Sequence, residues 1–468
     1  MDRPVHLTVL SQPSIAYSQL LWAVMNHDGL TVATLPMDFS LLRTRLANCP
    51  SSSHEKHVVD NWRSLLVEAN TDVLLTTAEY YPLISPVCRE LAIPVYVLTD
   101  APSILTAEEF TGATRAGHGY FDYINRPKKE IKCFSGASSL LRTSNVSQSM
   151  LHVFSEIGSC NSKVVIHTAA TLKSELDRIR GLFQLASDDC VLNCLFPHDY
   201  SSTVHCMIHA CEVGAKVYFP LRVTPSSRYS SLKLQFPLTA PRNLCDTVKL
   251  YMAQSVFEFV RSQKLRPDVL LCGSDIFRLL LSFLTCDDIS TAERSSYTAF
   301  WHNLNRIYIF DDVRELFGTP LHDVTQAFLE TISVSADATQ IYTLPEVGAV
   351  AYVDLRHRTC APKPLPGCDI IEGDTEFEIC ARTDSVFKAY LGRTNATNAV
   401  MKEGVLHMSF PKRLAATRLL SRHLDYVRYF KRRRERMARY PQGFIKQVPV
   451  RTQFWGNFTG RHRHHSVL

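Results

Sequence analysis

Through the first hundred residues, short apolar runs alternate with stretches whose hydrophobic residues recur at helical spacing. HLTVL (6–10), VATL (32–35), DVLLTT (72–77) and PVYVL (94–98) predict strands. Helical patterns over 14–29, 58–69 and a segment ending at Leu91 separate them. Strands joined by crossover helices predict a parallel sheet in an α/β domain. After a polar, irregular stretch over about 106–149, a second set follows. It comprises strand KVVIH (163–167), helix 171–183, a strand in CVLNCLF from Cys190, helix 204–213 and strand AKVYF (215–219). The third set is helix 245–265, strand DVLLC (268–272), helix 276–284, strand RIYIF (306–310) and helix 324–332. From Gln340 the pattern turns to short strands, IYTL, GAVAYV, CDII and EFEIC, punctuated by Gly and Pro, which predict a β-rich subdomain. The chain therefore divides into an α/β body (1–339), a β-rich subdomain (340–410) and a C-terminal arm (411–468).

Composition agrees with a folded globular chain: 468 residues, 46% hydrophobic and 21% charged, which excludes disordered and fibrous classes. The 18 Gly and 23 Pro are too scattered for a collagen-like chain, and no period of about 20–50 residues recurs. The longest apolar run, FRLLLSFL (277–284), falls short of a membrane span. MDRPVHLTVL carries an early acid and runs into a strand, so no secretory or transit signal is expected at the start. Fourteen cysteines without a CxxC pair read as free thiols in a reducing compartment. The sequons at Asn145, Asn395 and Asn457 are then chance matches.

Charge is distributed unevenly. The last 58 residues hold 15 of the 51 basic residues and two of the 45 acidic ones, a net of +13, against −7 for the preceding 410. Residues 419–441 read as a helix stopped by Pro441, with Leu420, Leu424, Val427 and Phe430 on one face. Arg428, Lys431, Arg432, Arg433, Arg434, Arg436 and Arg439 dominate the rest of its surface. Beyond it, Lys446, Arg451, Arg461 and Arg463 are interleaved with Phe444, Phe454, Trp455 and Phe458. Guanidinium forks pair with phosphates and aromatic rings stack on exposed bases, so these twelve residues, Arg428 to Arg439 with Lys446, Arg451, Trp455, Arg461 and Arg463, form a candidate RNA-binding set. An anionic lipid surface or an acidic protein partner is the competing reading.

No Walker loop, GxGxxG, HExxH or GxSxG occurs, so NTPase, dinucleotide-binding, zinc-protease and hydrolase readings lack support. His205 and His209 have the i, i+4 spacing of a zinc-binding helix face but no third ligand, and RHRHH (461–465) is read as lying on polyanion. No metal ligand and no cofactor is assigned.

Four ordered blocks resemble the adenylate-forming acyl-CoA synthetase family, which includes fatty-acyl and malonyl-CoA ligases, over roughly residues 5–410. VDNWRSLLVEANTDVLLTT from Val59 is similar to a family helix that precedes an "LLTT" strand. SDDCVLNCLFPHDYSSTVHCMIHACEVGAKVYF from Ser187 is similar to "DDVVLNWLPLFHD…LLAGATVVF" and puts His198 on the family histidine near the acyl pocket. IYTLPEVG (341–348) resembles "YGMTEIG" and keeps Tyr342, Glu346 and Gly348. VFKAYLGRTNATNAVMKEGVLHMSF (386–410) resembles "VFKGYWNRPEATAEAF-DGWFHTGD". The resemblance implies the family's large N-terminal fold, with Lys163, His198 and Glu346 as relict positions of an adenylating site.

The departures fall on the chemistry. Where the family has "TSGTTGxPKG" to cradle phosphates, this chain has SEIGSCNSKV (155–164), which keeps Lys163 and displaces its one glycine, Gly158. Glu156 there would oppose a triphosphate by on the order of 1 kcal/mol or more. The ribose-binding aspartate of the "TGD" block is Phe410, and the threonine of the "TE" pair is Pro345. The 58 residues after Phe410 are not expected to form the family's small mobile domain with its catalytic lysine; the basic arm stands in its place. The expectation is a non-catalytic relative anchored by its arm on RNA, ribosomal RNA first, among neighbouring proteins of a large ribonucleoprotein in the mitochondrial matrix. The mitochondrial ribosome or its assembly intermediate is the leading choice. The alternatives are an active ATP-dependent acyl-CoA or malonyl-CoA ligase, and an accessory subunit of a respiratory enzyme or ATP synthase.

Overall fold

A computed structural model describes residues 4–11, 29–37, 53–98, 104–106, 149–155, 162–220, 266–285, 291–316, 336–356 and 362–411, with a few further positions between 17 and 24 and at 256. Most of the predicted helices 245–265 and 14–29, the predicted helix 324–332 and the arm beyond Pro411 lie outside the described residues, as do all twelve candidate RNA-binding residues.

Among the described residues three sheets form. The first contains β1 (Val5–Leu10), β2 (Leu30–Thr34), β3 (Val73–Thr77), β4 (Val95–Leu98), β5 (Ile104–Thr106), β6 (Ser149–Ser155), β7 (Lys163–Thr168) and β17 (Ala389–Tyr390), in the order β17-β7-β6-β2-β1-β3-β4-β5. Its centre, β6-β2-β1-β3-β4, is parallel. The second contains β8 (Cys190–Asn193), β9 (Lys216–Tyr218), β10 (Val269–Gly273), β11 (Arg306–Asp312), β12 (Asp337–Leu344), β13 (Gly348–Asp354) and β14 (Lys363–Pro364), ordered β14-β13-β12-β11-β10-β8-β9. The third contains β15 (Cys368–Glu372), β16 (Glu376–Ala381), β18 (Met401–Lys402) and β19 (Val405–Pro411), ordered β15-β16-β19-β18.

Helices cover the parallel strands: α1 (Ser53–Glu68), α2 (Tyr81–Glu90), α3 (Ala169–Ile179), α4 (Ser201–Ile208), α5 (His209–Val213), α6 (Ser274–Thr285), α7 (Thr291–Asn303) and the short α8 (Thr394–Val400). Coverage on both faces explains why β3 and β10 both open with the apolar run VLL rather than an alternating pattern. Trp62 of α1 is fully buried and donates its indole N–H to the Pro36 carbonyl at 2.8 Å, which fixes α1 over β2. The start of α3 is set by a capping box in which Thr168 and Thr171 satisfy each other's backbone N–H groups.

Two expectations change. IYTL and GAVAYV do not belong to the β-rich part: β12 pairs parallel with β11 through seven residues and β13 pairs with β12, so both extend the second sheet. The separate small sheet begins at Cys368. The predicted helix 204–213 starts earlier, and its first eight residues, α4, are a π-helix whose residues are all buried. π-helical geometry is rare and, where it interrupts a helix, is frequently found at functional sites. No helix among the described residues is long and apolar enough to cross a membrane.

Candidate functional site

The turn at 345–347 joins β12 to β13, so it lies at the carboxyl end of the parallel strand β12, where α/β sheets place their ligand sites. β17 pairs antiparallel with β7, Tyr390 opposite Val165, and this sets the Tyr390 ring beside Lys163, whose Nζ is 5.0 Å from the ring centroid. The Tyr390 hydroxyl donates to Glu346 Oε1 at 2.9 Å, and the Phe387 N–H donates to the Glu346 carbonyl at 2.8 Å. Two of the three positions that the resemblance singled out, Lys163 and Glu346, thus meet around one tyrosine.

Glu346 is 1% exposed, and its Oε2 accepts no hydrogen bond. Burial is the strongest influence and pushes its carboxyl above the usual range, against the lowering effects of Tyr390, the Ser155 side chain and the Lys163 charge. A carboxyl raised in the folded state costs stability once it ionises, so the cost is absent below its ordinary value and grows as pH rises through it. Glu346→Gln keeps the Tyr390 acceptor and removes the charge. It is expected to stabilise by on the order of 1 kcal/mol at pH 8 and to be neutral near pH 4, as read from urea midpoints at the two pH values.

Behind this turn lies a buried clamp. Glu175 of α3 has no exposed surface. Its Oε1 accepts from His205 Nε2–H at 2.7 Å and from the Ala349 N–H at 2.8 Å, while Oε2 accepts from Arg178 Nε at 3.1 Å and Nη2 at 2.5 Å. Arg178 Nη2 also donates to the Val347 carbonyl at 3.1 Å, and the Ser385 hydroxyl donates to the same oxygen at 3.0 Å. His167 Nε2–H donates to the Pro345 carbonyl at 2.7 Å. Burial is the largest single influence on Glu175 and would raise it, yet the His205 bond, the Arg178 charge and the Ala349 N–H together hold the carboxyl below its usual range. His167, buried with no counter-charge close enough to offset desolvation, is lowered to about 4. Every residue from Pro345 to Ala349 except Gly348 is therefore hydrogen-bonded to α3, α4, β7 or the 385–390 segment.

His198 keeps to its own loop: its ring stacks on Phe196 at 5.5 Å and its Nε2 is 3.6 Å from Asp199 Oδ1, with burial lowering it. His205 and His209 do not share a ligand. The π-helical turn gives them separate partners, Glu175 for His205 and the Phe183 carbonyl, at 3.1 Å, for His209 Nε2. Phe410, where the family pattern has its ribose-binding aspartate, lies directly opposite Phe377 on β16 and stacks on it at 5.4 Å, 7% exposed. Residues 156–161, with Glu156, lie outside the described residues. Sequence reasoning missed Glu175, Arg178 and Tyr390; the i, i+3 carboxylate and guanidinium on the inward stripe of α3 were the available signal.

Against the groups that an adenylating site holds, these residues fit poorly. A ribose needs paired hydroxyl acceptors, and Phe410 supplies an apolar ring; Mg²⁺ needs an ionised carboxylate, and Glu346 is capped by Tyr390 and biased towards its neutral form.

No family model matches the chain, and no curated protein matches it. Solved structures do. The N-terminal domain of FACL13 from Mycobacterium tuberculosis superimposes with a TM-score of 0.56 at 13% identity, over 88% of this chain and 87% of that one. MatB from Rhodopseudomonas palustris gives 0.53 at 11% identity over 87% of this chain, and the same values in its ATP-bound form. O-succinylbenzoate coenzyme A synthetase (MenE) from Bacillus subtilis gives 0.51 at 12% over 87%. The chain spans 65% of the MatB chain and 66% of the MenE chain. At these identities the likeness is one of fold: an α/β, acyl-CoA synthetase-like N-terminal domain.

Proposed function

We propose that this chain, an acyl-CoA synthetase fold, is a non-catalytic scaffold that its basic arm, 411–468, holds on RNA within a large mitochondrial ribonucleoprotein, the mitochondrial ribosome or an assembly intermediate of it. The observation that supports the non-catalytic part is that two positions the resemblance assigns to nucleotide and Mg²⁺ binding are engaged in packing: Phe410 is seated on Phe377 and Glu346 is closed over by Tyr390. The arm supports the RNA part through its composition, a net of +13 in 58 residues with aromatic rings between the cations. Phosphate contacts of that kind make binding steeply salt-dependent.

An ATP-dependent acyl-CoA ligase is the second reading. It is favoured by the buried Oε2 of Glu346, which accepts no hydrogen bond, and by Lys163 beside the same Tyr390 ring. Two measurements separate the readings. Native protein from a mitochondrial lysate is sedimented with and without RNase, and co-sedimenting proteins are identified by mass spectrometry. Purified protein is assayed for acyl-dependent pyrophosphate release from ATP. The expected result is migration with ribosomal proteins that collapses after RNase, and no pyrophosphate release. A light, free species overturns the ribonucleoprotein, acyl-adenylate formation overturns the scaffold, and RNase-resistant migration with a respiratory enzyme or ATP synthase replaces RNA by a protein partner.

A further inference from the structure

The third sheet carries a group of donor atoms that the proposed function does not use. Along β16 the side chains alternate: Phe377, Ile379 and Ala381 are buried in the core, while Glu376, Glu378 and Cys380 take the other face. Antiparallel register places His407 of β19 directly opposite Cys380, and Asp369 of β15 opposite it on the other side. One face of three neighbouring strands therefore presents a row of carboxylate, thiol and imidazole, with the Glu378 carboxylate two residues along.

The distances show convergence. Cys380 Sγ is 3.4 Å from His407 Nδ1, and that nitrogen is 2.8 Å from Glu378 Oε1; all three donor atoms lie within 4.8 Å of one another. A nucleophilic Cys-His-Glu relay would use the two ring nitrogens for the two partners. Here both contacts fall on one nitrogen, which is the pattern of three ligands aimed at a common point. Donors about 2.3 Å (sulfur) and 2.0 Å (nitrogen) from a tetrahedral zinc ion stand roughly 3.5 Å apart, so the thiol and imidazole already have the required separation. The Glu378 oxygen, now hydrogen-bonded to the ring, would move out by about half an ångström once the ring proton is replaced.

We propose that Glu378, Cys380 and His407 form a binding site for a thiophilic divalent transition metal, Zn²⁺ above all, with Asp369 as the further carboxylate on that face. The donor set is one nitrogen, one sulfur and one oxygen, which favours Zn²⁺ over Mg²⁺ or Ca²⁺. The side chains of His407 and Glu378 are 28% and 35% exposed, so an ion can reach the site from solvent. Cys380 is buried, yet it is not part of the hydrophobic cluster that contains its neighbours Ile379 and Ala381. Bound metal would tie β16 to β19, the strand that ends in Phe410 and Pro411 just before the basic arm.

The test uses the full-length chain, stripped with a chelator and titrated with ZnCl₂ and, separately, CoCl₂. One equivalent of Zn²⁺ is expected by calorimetry, with a visible Co²⁺ spectrum carrying a thiolate charge-transfer band. Cys380→Ser should abolish that band, and Cys380→Ser, His407→Ala and the half-exposed Glu378→Gln should each weaken Zn²⁺ binding at least about tenfold. A double His464→Ala/His465→Ala variant separates this site from the closing RHRHH run and should bind as the wild type does. Absence of uptake, uptake undiminished in Cys380→Ser and Glu378→Gln, or loss confined to the His464/His465 variant would each overturn the proposal.

Discussion

Glu175→Ala is expected to destabilise the fold by roughly 3–5 kcal/mol, because it removes one partner of a buried ion pair and leaves the others without compensation. Arg178 would keep a charged guanidinium, 6% exposed at its side chain, with the Val347 carbonyl and the Cys368 thiol, neither of them charged, as its remaining hydrogen-bond partners among the described residues. His205 Nε2 and the Ala349 N–H would each lose their acceptor in a fully buried site. Glu175→Gln should cost less than Glu175→Ala, since an amide oxygen still accepts from His205 and Ala349, although the amide NH₂ then faces Arg178 and both the charge pairing and its two hydrogen bonds are lost. A double Glu175→Leu/Arg178→Met variant should recover much of the loss by removing both charges together. Urea unfolding followed by near-ultraviolet circular dichroism ranks the three. If Glu175→Ala falls within about 1 kcal/mol of the wild type, the clamp is not what holds the 345–349 turn.

The elements legible in the sequence were those whose burial leaves a periodic trace. β3 and β10 open with apolar runs, VLL in both, whose residues are mostly buried, and α3 shows a clear inward stripe. Partner choice leaves no such trace. The alternation in IYTL and GAVAYV announces strands, but only the parallel register with β11 assigns them to the second sheet. The π-helix was invisible for a related reason, since an apolar stretch with His205 and His209 four apart fits an ordinary helix equally well. Glu346 and Lys163 could be singled out by their place in motifs, whereas Tyr390 joins them only through the β17–β7 pairing. Glu175 and Arg178 look in sequence like a solvated i, i+3 pair; their burial is a tertiary fact. Cys380 and His407, 27 residues apart, meet only because β16 and β19 are antiparallel in one register.

Gly348→Ala is the second large effect, and it tests whether the turn and the clamp are one device. Gly348 has φ +85°, a left-handed conformation that costs an L-residue about 1–2 kcal/mol. A Cβ there would also fall well inside van der Waals contact with the Glu175 carboxyl, lying 2.8 Å from Oε2 and closer still to Cδ and Oε1. A carboxyl at the end of a side chain can usually swing away, but this one is held by His205, Arg178 and the Ala349 N–H, so it can yield only by breaking those bonds. The expected loss is therefore roughly 3–5 kcal/mol, conformational strain plus a damaged clamp. The double variant Gly348→Ala/Glu175→Ala isolates the second part. With the carboxyl gone the methyl group has room, so the two losses should fall short of additive by more than about 1 kcal/mol, leaving the φ strain as the remainder. Additivity within about 0.5 kcal/mol would instead assign the whole effect of Gly348→Ala to its backbone. The glycine that closes the IYTLPEVG block would then be required by the turn alone, with no dependence on the carboxylate behind it.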